Sequence, residues 1–185
     1  TGGMYRAVAW RAVQLGVDLS SEDAVAGVAR TAVFTLGDGR IVIDGHDVSS
    51  AIRTPDMDAA AAAVARLPQV RAALVARQRA YGDAGGVVME GRDIGTVVFP
   101  NADVKLYLDA SPDERARRRS QDAAHTASRE QGVAHVAEAL AARDQSDRTR
   151  AVSPLTLAPD AVYLDTTGLS IEDVVARAMA AVRKA

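Results

Sequence analysis

The chain has 185 residues, 48% of them hydrophobic and 25% charged, with a formal net charge of −2. That size suits one domain with small insertions, and the charge balance gives no general pull toward nucleic acid or a membrane. Without a cysteine, disulfide frameworks and thiolate metal sites are excluded. His46, His125 and His135 lack metal-ligand spacing and read as solvated surface. No apolar run reaches the length of a membrane span, so a soluble, cytoplasmic chain is expected.

In chain order, Tyr5, Val8, Ala9 and Ala12 fall at helical spacing, with Arg6 one turn inside and Gly16 as the stop. Ser20-Ser21-Glu22-Asp23 has the cap-and-acid pattern of a second helix running toward Arg30. From Thr31 the period changes to two. Runs 32–36 and 40–44 flank Gly37-Asp38-Gly39, a hairpin signal, and Gly45 to Val48 continues as a turn and a short third strand. So small a sheet reads as an insertion rather than the main core. Residues 58–67, almost all alanine and valine, predict a helix. Pro68 interrupts, and a helix resumes over 70–81 with Arg71, Arg77 and Arg79.

After Gly85-Gly86, the run Val87 to Met89 predicts a strand buried on both faces, ending at Gly91. Arg92-Asp93 follows, where an open parallel sheet binds ligands. A turn with a structural salt bridge fits the same residues. Residues 103–109 predict a second core strand, handing over to the capping pattern Ser111-Pro112-Asp113-Glu114. In the helix that follows, Arg115, Arg118 and Arg119 share a face. Over 119–132 the apolar periodicity fades, as in an exposed segment. A helix through Val136 and Leu140 brings Arg143, Asp147 and Arg150 onto one face. On spacing alone, a solvated helix with ion pairs is the more economical account of those three. Residues 161–165 predict a third core strand, and Ser170 caps a last helix expected to bury Val174, Val175, Ala178 and Val182. Strands alternating with helices imply a parallel α/β sheet. Three strands are few for it, which suggests an element missing upstream.

Arg6, Arg71, Arg92, the 115–119 group, Arg143 and Arg150 all fall beside predicted strand ends, loops or one helical face. Guanidinium groups gathered on one cleft are what phosphoryl transfer needs, because they neutralise phosphates and stabilise charge on the transferred group. Asp93 and Asp147 would be the acceptors among them.

Several separate motifs, in this order and spacing, carry a resemblance: Thr1-Gly2-Gly3-Met4-Tyr5-Arg6, Leu67-Pro68-Gln69-Val70-Arg71, Glu90-Gly91-Arg92-Asp93-Ile94-Gly95-Thr96 through Pro100, and Arg143-Asp144 through Asp147 and Arg150 to Pro154. Over nearly its whole length the chain resembles the bacterial cytidylate kinases of the nucleoside monophosphate kinase group. The resemblance implies a P-loop-type parallel sheet flanked by helices, with a core over 1–30, 65–118 and 133–185. It implies a small antiparallel insertion over the acceptor nucleotide at 31–64 and an arginine-bearing helical lid at 119–132. The implied reaction moves the γ-phosphoryl of ATP, with Mg²⁺, to CMP or dCMP, giving ADP and CDP or dCDP. A monomer acting on small nucleotides, without nucleic acid or membrane partners, is the expectation.

Matched residue by residue, the resemblance gives the acceptor nucleotide Thr1, Tyr5, Arg6, Arg71, Arg92, Asp93, Arg143, Asp147 and Arg150. Arg6, Arg92 and Arg150 would hold its phosphate, Arg71 and Asp93 would read cytosine, and Arg143 with Asp147 would contact the ribose. Arg115, Arg118 and Arg119 would come down on the donor phosphates as lid residues. Stabilisation of the transferred group would rest on Arg92, Arg118, Arg119 and Arg150. The base readout also has an independent argument. Cytosine offers acceptors at O2 and N3 and a donor at its amino group; Arg71 only donates, and ionised Asp93 only accepts. Uracil reverses the polarity at N3 and position 4, leaving polar groups unpaired.

Two departures stand out. The family's glycine-rich phosphate loop, with its lysine and hydroxyl residue, belongs before Thr1 on the first, central strand, and the sequence does not contain it. The expectation is therefore that the chain as written binds ATP unproductively, and that it is a truncated form. Ala62 stands where the family carries a serine touching the base, a loss of one hydrogen bond or about 1 kcal/mol. Alternatives are a related monophosphate kinase with another acceptor such as UMP, or a non-catalytic nucleotide-binding fragment.

Overall fold

The run of small apolar residues after Thr1 forms helix α1 (Gly2–Gln14), whose Tyr5, Val8, Ala9 and Ala12 are buried. Gly16, at φ +68, ends it in the left-handed conformation that glycine adopts without strain. The computed structural model describes residues 1–37, 39–83, 85–122 and 132–184. These fall into two units: Thr1–Gly91 with Arg150–Val152, and Arg92–Thr149 with Ser153–Ala185.

In the first unit α1 is followed by α2 (Glu22–Thr31) and the expected hairpin, β1 (Phe34–Gly37) and β2 (Arg40–Ile43). The hairpin register runs from Phe34 opposite Ile43 to Gly37 opposite Arg40. A two-residue β3 (His46–Asp47) adds to β2, with Ile43 opposite His46. The turn between β2 and β3 places Asp44 at φ 50. Its side chain compensates: Oδ1 accepts from the Val33 amide at 2.8 Å and Oδ2 from Arg11 Nε at 2.9 Å, tying the hairpin to α1. The Val33 amide, chiefly, holds the Asp44 carboxyl below its usual range.

After a 3₁₀ turn (Ala51–Arg53) come α3 (Pro55–Val64) and α4 (Pro68–Gly82). Thr54 Oγ1 accepts from the Met57 amide at 3.3 Å, so α3 begins three residues before the expected position 58. Pro68 opens α4 rather than interrupting a helix, because the first helical position needs no backbone N–H. Val8, Val25, Ile43, Val48, Ile52, Val64, Val70 and Leu74 form one apolar cluster. The small sheet contributes Ile43 to the same cluster as α1–α4.

Residues 87–89 are a correction. They form no strand and have no ladder partner among the described residues; Val88 is 100% exposed. An apolar run becomes a strand only where a neighbour takes its amides and carbonyls.

The second unit opens on a π-helical turn (Ile94–Val98) and contains β4 (Leu106–Asp109), α5 (Pro112–Gln121), α6 (Val133–Thr149), β5 (Val162–Asp165) and α7 (Ile171–Val182). β4 and β5 pair in parallel, Leu106 opposite Val162 through Asp109 opposite Asp165. The result is a mixed α/β chain whose described parallel sheet has two strands, one fewer than the sequence suggested. Ser111 Oγ accepts from the Glu114 amide at 3.3 Å and Ser170 Oγ from the Asp173 amide at 3.1 Å, so both expected caps form. The apolar stripe of α7 is not covered: Val175 is 53% and Val182 47% exposed, and no residue of the helix is buried. Of the expected lid, residues 123–131, with His125, lie outside the described residues; 119–121 continue α5. His46 and His135 are exposed, as expected. Among the described residues no single helix is long and apolar enough to cross a membrane.

Candidate active site

In the first unit, α1 supplies Tyr5 and Arg6 and the first turns of α4 supply Arg71. Arg71 is 2% exposed, which is rare for arginine without partners. Its guanidinium lies over the Tyr5 ring, 5.4 Å from the centroid, and Nη1 donates to the Ala65 carbonyl at 3.3 Å. Arg6 is held from two sides: Nη1 donates to the Ile52 carbonyl at 2.8 Å, and Nη2 closes on the carboxylate of Asp58. Thr1 Oγ1 donates to the Glu90 carbonyl at 2.8 Å, and Arg150 is buried. Arg6 and Arg71 are thus held by named partners, the Arg71 guanidinium over an aromatic ring.

In the second unit, Arg92 lies beside two acids of α6, with Nη1 3.0 Å from Asp144 Oδ1 and Nε 3.3 Å from Asp147 Oδ2. Arg115 of α5 reaches the same Asp144, Nη1 to Oδ2 at 2.5 Å. Burial pushes the Asp144 carboxyl up. The hydrogen bond from Arg115 and the charges of Arg92 and Arg115 outweigh it, so the group sits below its usual range. Asp93 is buried, and its carbonyl accepts the Val97 amide at 2.9 Å, closing the turn that aims it. Arg118 is turned the other way. Nε donates to Glu114 at 2.7 Å, while Nη1 and Nη2 donate to the Thr166 hydroxyl and carbonyl at 2.8 and 2.5 Å, after β5. Arg119 and Arg143 are half-buried on α5 and α6.

Of the residues expected from sequence, Tyr5 and Arg71 therefore meet in the first unit; in the second, Arg92 meets Asp147 directly and Arg115 through Asp144. Arg118 stands apart from them, on Thr166. Two acids were missed. Asp144 had a signal, since it lies three residues before Asp147 on one helical face. Asp58 had none, because nothing local ties it to Arg6, 52 positions away.

Residues 1–184 match the family model described as cytidylate kinase. The chain belongs to the cytidylate kinase family. A cytidylate kinase of Solibacter usitatus is 50% identical over 176 residues, covering 94% of this chain and 75% of the relative. One of Desulfitobacterium hafniense is 48% identical over 180 residues, covering 96% and 77%. One of Citrobacter koseri is 45% identical over 186 residues, covering 97% and 80%. Among the described residues, no group of three or more histidine, aspartate or glutamate side chains fits a protein-held metal ion.

Proposed function

We propose that the protein phosphorylates CMP with ATP as donor, and that its arginines divide between base, phosphate and donor recognition. The relatives, 45–50% identical over nearly the whole chain, carry the reaction itself. They do not favour UMP as acceptor or a purely non-catalytic binding role.

An oxygen of the CMP phosphate attacks the γ-phosphorus of ATP, and the bond from that phosphorus to the β–γ bridging oxygen breaks. ADP and CDP result, and dCMP would react in the same way. Mg²⁺ neutralises the donor phosphates when it is bound with ATP. The described residues offer it no cage, so every role below belongs to the chain's own side chains. Arg6, Arg92 and Arg150 hold the acceptor phosphate. Arg71 donates to cytosine O2 and N3 with Tyr5 beneath it, and Asp93 accepts from the amino group. Arg143 and Asp147 contact the ribose, and Thr1 borders the nucleotide. Arg115, Arg118 and Arg119 serve the donor phosphates. Residues 31–64 are the acceptor-binding insertion and 119–132 the lid; the enzyme acts as a cytoplasmic monomer.

The observation that supports the base assignment best is the burial of Arg71, a group that can only donate, over an aromatic face. Turnover of CMP, dCMP and UMP, measured side by side, tests it. CMP and dCMP should both react and UMP much more slowly; equal rates for UMP would remove the argument.

A further inference from the structure

Asp144 has no part in the roles above, yet each of its two oxygens faces a different arginine. Oδ1 lies 3.0 Å from Arg92 Nη1 and Oδ2 lies 2.5 Å from Arg115 Nη1. The contacts are unequal. Arg92 stands farther from its oxygen than Arg115 does and divides its contacts with Asp147, so it is the more loosely held partner of Asp144. Arg115 is the firm one. A carboxylate with 7% exposure cannot hand its charge to water, so the charge must be shared between these two guanidinium groups. An entering phosphate competes with Asp144 for the looser one.

We propose that Asp144 is a positioning residue that couples Arg115 to the acceptor phosphate through Arg92. With Arg115 in place, Asp144 is already neutralised and releases Arg92 readily to a phosphate. Without Arg115, the buried carboxylate pulls on Arg92 alone and CMP must compete against it. Arg115 therefore tunes CMP affinity without touching CMP, and linkage makes the effect reciprocal: bound CMP leaves Asp144 to Arg115. This rests on the assignment of Arg92 to the acceptor phosphate.

The test is CMP binding by calorimetry, without ATP, in a double-mutant cycle on the protein. Arg115→Met should weaken CMP by about fivefold or more in the native background and have no effect beside Asp144→Asn. Asp144→Asn alone should bind CMP at least as tightly as the native protein. Asp144→Glu, which keeps the charge, should retain the dependence on Arg115, and Asp144→Ser, neutral and smaller, supplies the uncharged background if Asp144→Asn folds poorly. An equal effect of Arg115→Met in both backgrounds, or none in either, overturns the coupling. If Arg92→Met binds CMP like the native protein, the phosphate assignment fails and the coupling with it. Loss of binding in Arg92→Met beside an uncoupled Arg115 overturns the coupling alone.

Discussion

Asp58 on α3 holds Arg6 on α1, and the two side chains are 33% and 12% exposed. The pair joins two helices that also share the apolar cluster of Val8, Ala60 and Val64. A carboxylate thus occupies an arginine proposed to bind phosphate, as Asp144 does for Arg92. Removing one partner of a half-buried pair leaves the other desolvated and uncompensated. Asp58→Ala should therefore cost about 1–3 kcal/mol of stability, read from the urea midpoint. A double variant, Arg6→Met with Asp58→Leu, should recover most of that stability and bind CMP far more weakly than the native protein. If the double variant binds CMP normally, Arg6 has no role at the phosphate.

Acid should loosen the start of α5. Arg117, first, and then Arg118 hold the Glu114 carboxyl down to about 2, from an ordinary 4.5. The unfolded chain, lacking those partners, takes up the proton first as the pH falls. The stabilisation from Glu114 is thus complete above about 4.5 and is lost between 4.5 and 2. Thermal unfolding across that window should show a shallower acid slope for Glu114→Gln than for the native protein. The pairs are exposed at Arg117, so added salt should shrink the difference. Unchanged slopes would mean that Glu114 is no better paired folded than unfolded.

Much of the first unit was legible because its signals are local. Period-two runs around Gly39 predict the hairpin, and in the second unit Ser111 and Ser170 each mark a helix start that the backbone uses. Pro68 was misread only in sense, as a break between helices rather than the first residue of one. What failed depended on neighbours. Val87 to Met89 has strand composition, but composition does not supply a ladder partner. The stripe Ile171, Val175, Met179 and Val182 marks an apolar face and says nothing about whether anything covers it. At the candidate site, arginine stands out by type, while each arginine's role rests on the family resemblance. Of the acids that hold them, Asp144 carried a signal in its spacing from Asp147, whereas Asp58, 52 positions from Arg6, carried none.

The uncovered face of α7 makes its cap unusually important. With no residue of the helix buried, tertiary packing contributes little, and a helix of 12 residues is marginal alone. The Ser170 hydroxyl, accepting the Asp173 amide at 3.1 Å, satisfies one of the orphan donors of its first turn. Ser170→Ala should cost about 1 kcal/mol and raise amide exchange over residues 171–175 before any other helix. Ser170→Asp should be close to neutral, because aspartate caps as well. Exchange in α7 that does not respond to Ser170→Ala would show that the helix end is held by something other than its cap.

On the proposed assignment, base selection would depend on what Arg71 and Asp93 can and cannot do. Arg71→Met keeps an aliphatic stem but removes every donor, so on that assignment cytosine O2 and N3 would lose their partners. The kcat/KM for CMP should fall by roughly two orders of magnitude or more. UMP offers Arg71 only its O2 and sets N3–H against the other donor, so it should lose much less than CMP. The CMP-to-UMP ratio should therefore fall mainly through CMP. Ala62→Ser works in the opposite direction: a hydroxyl restored beside the base should tighten CMP by about 1 kcal/mol, roughly fivefold, and leave UMP behind. Steady-state kinetics with both nucleotides on the two variants separate the contributions. A parallel loss for CMP and UMP in Arg71→Met would mean that the arginine holds the fold or the phosphate, and that cytosine is read elsewhere.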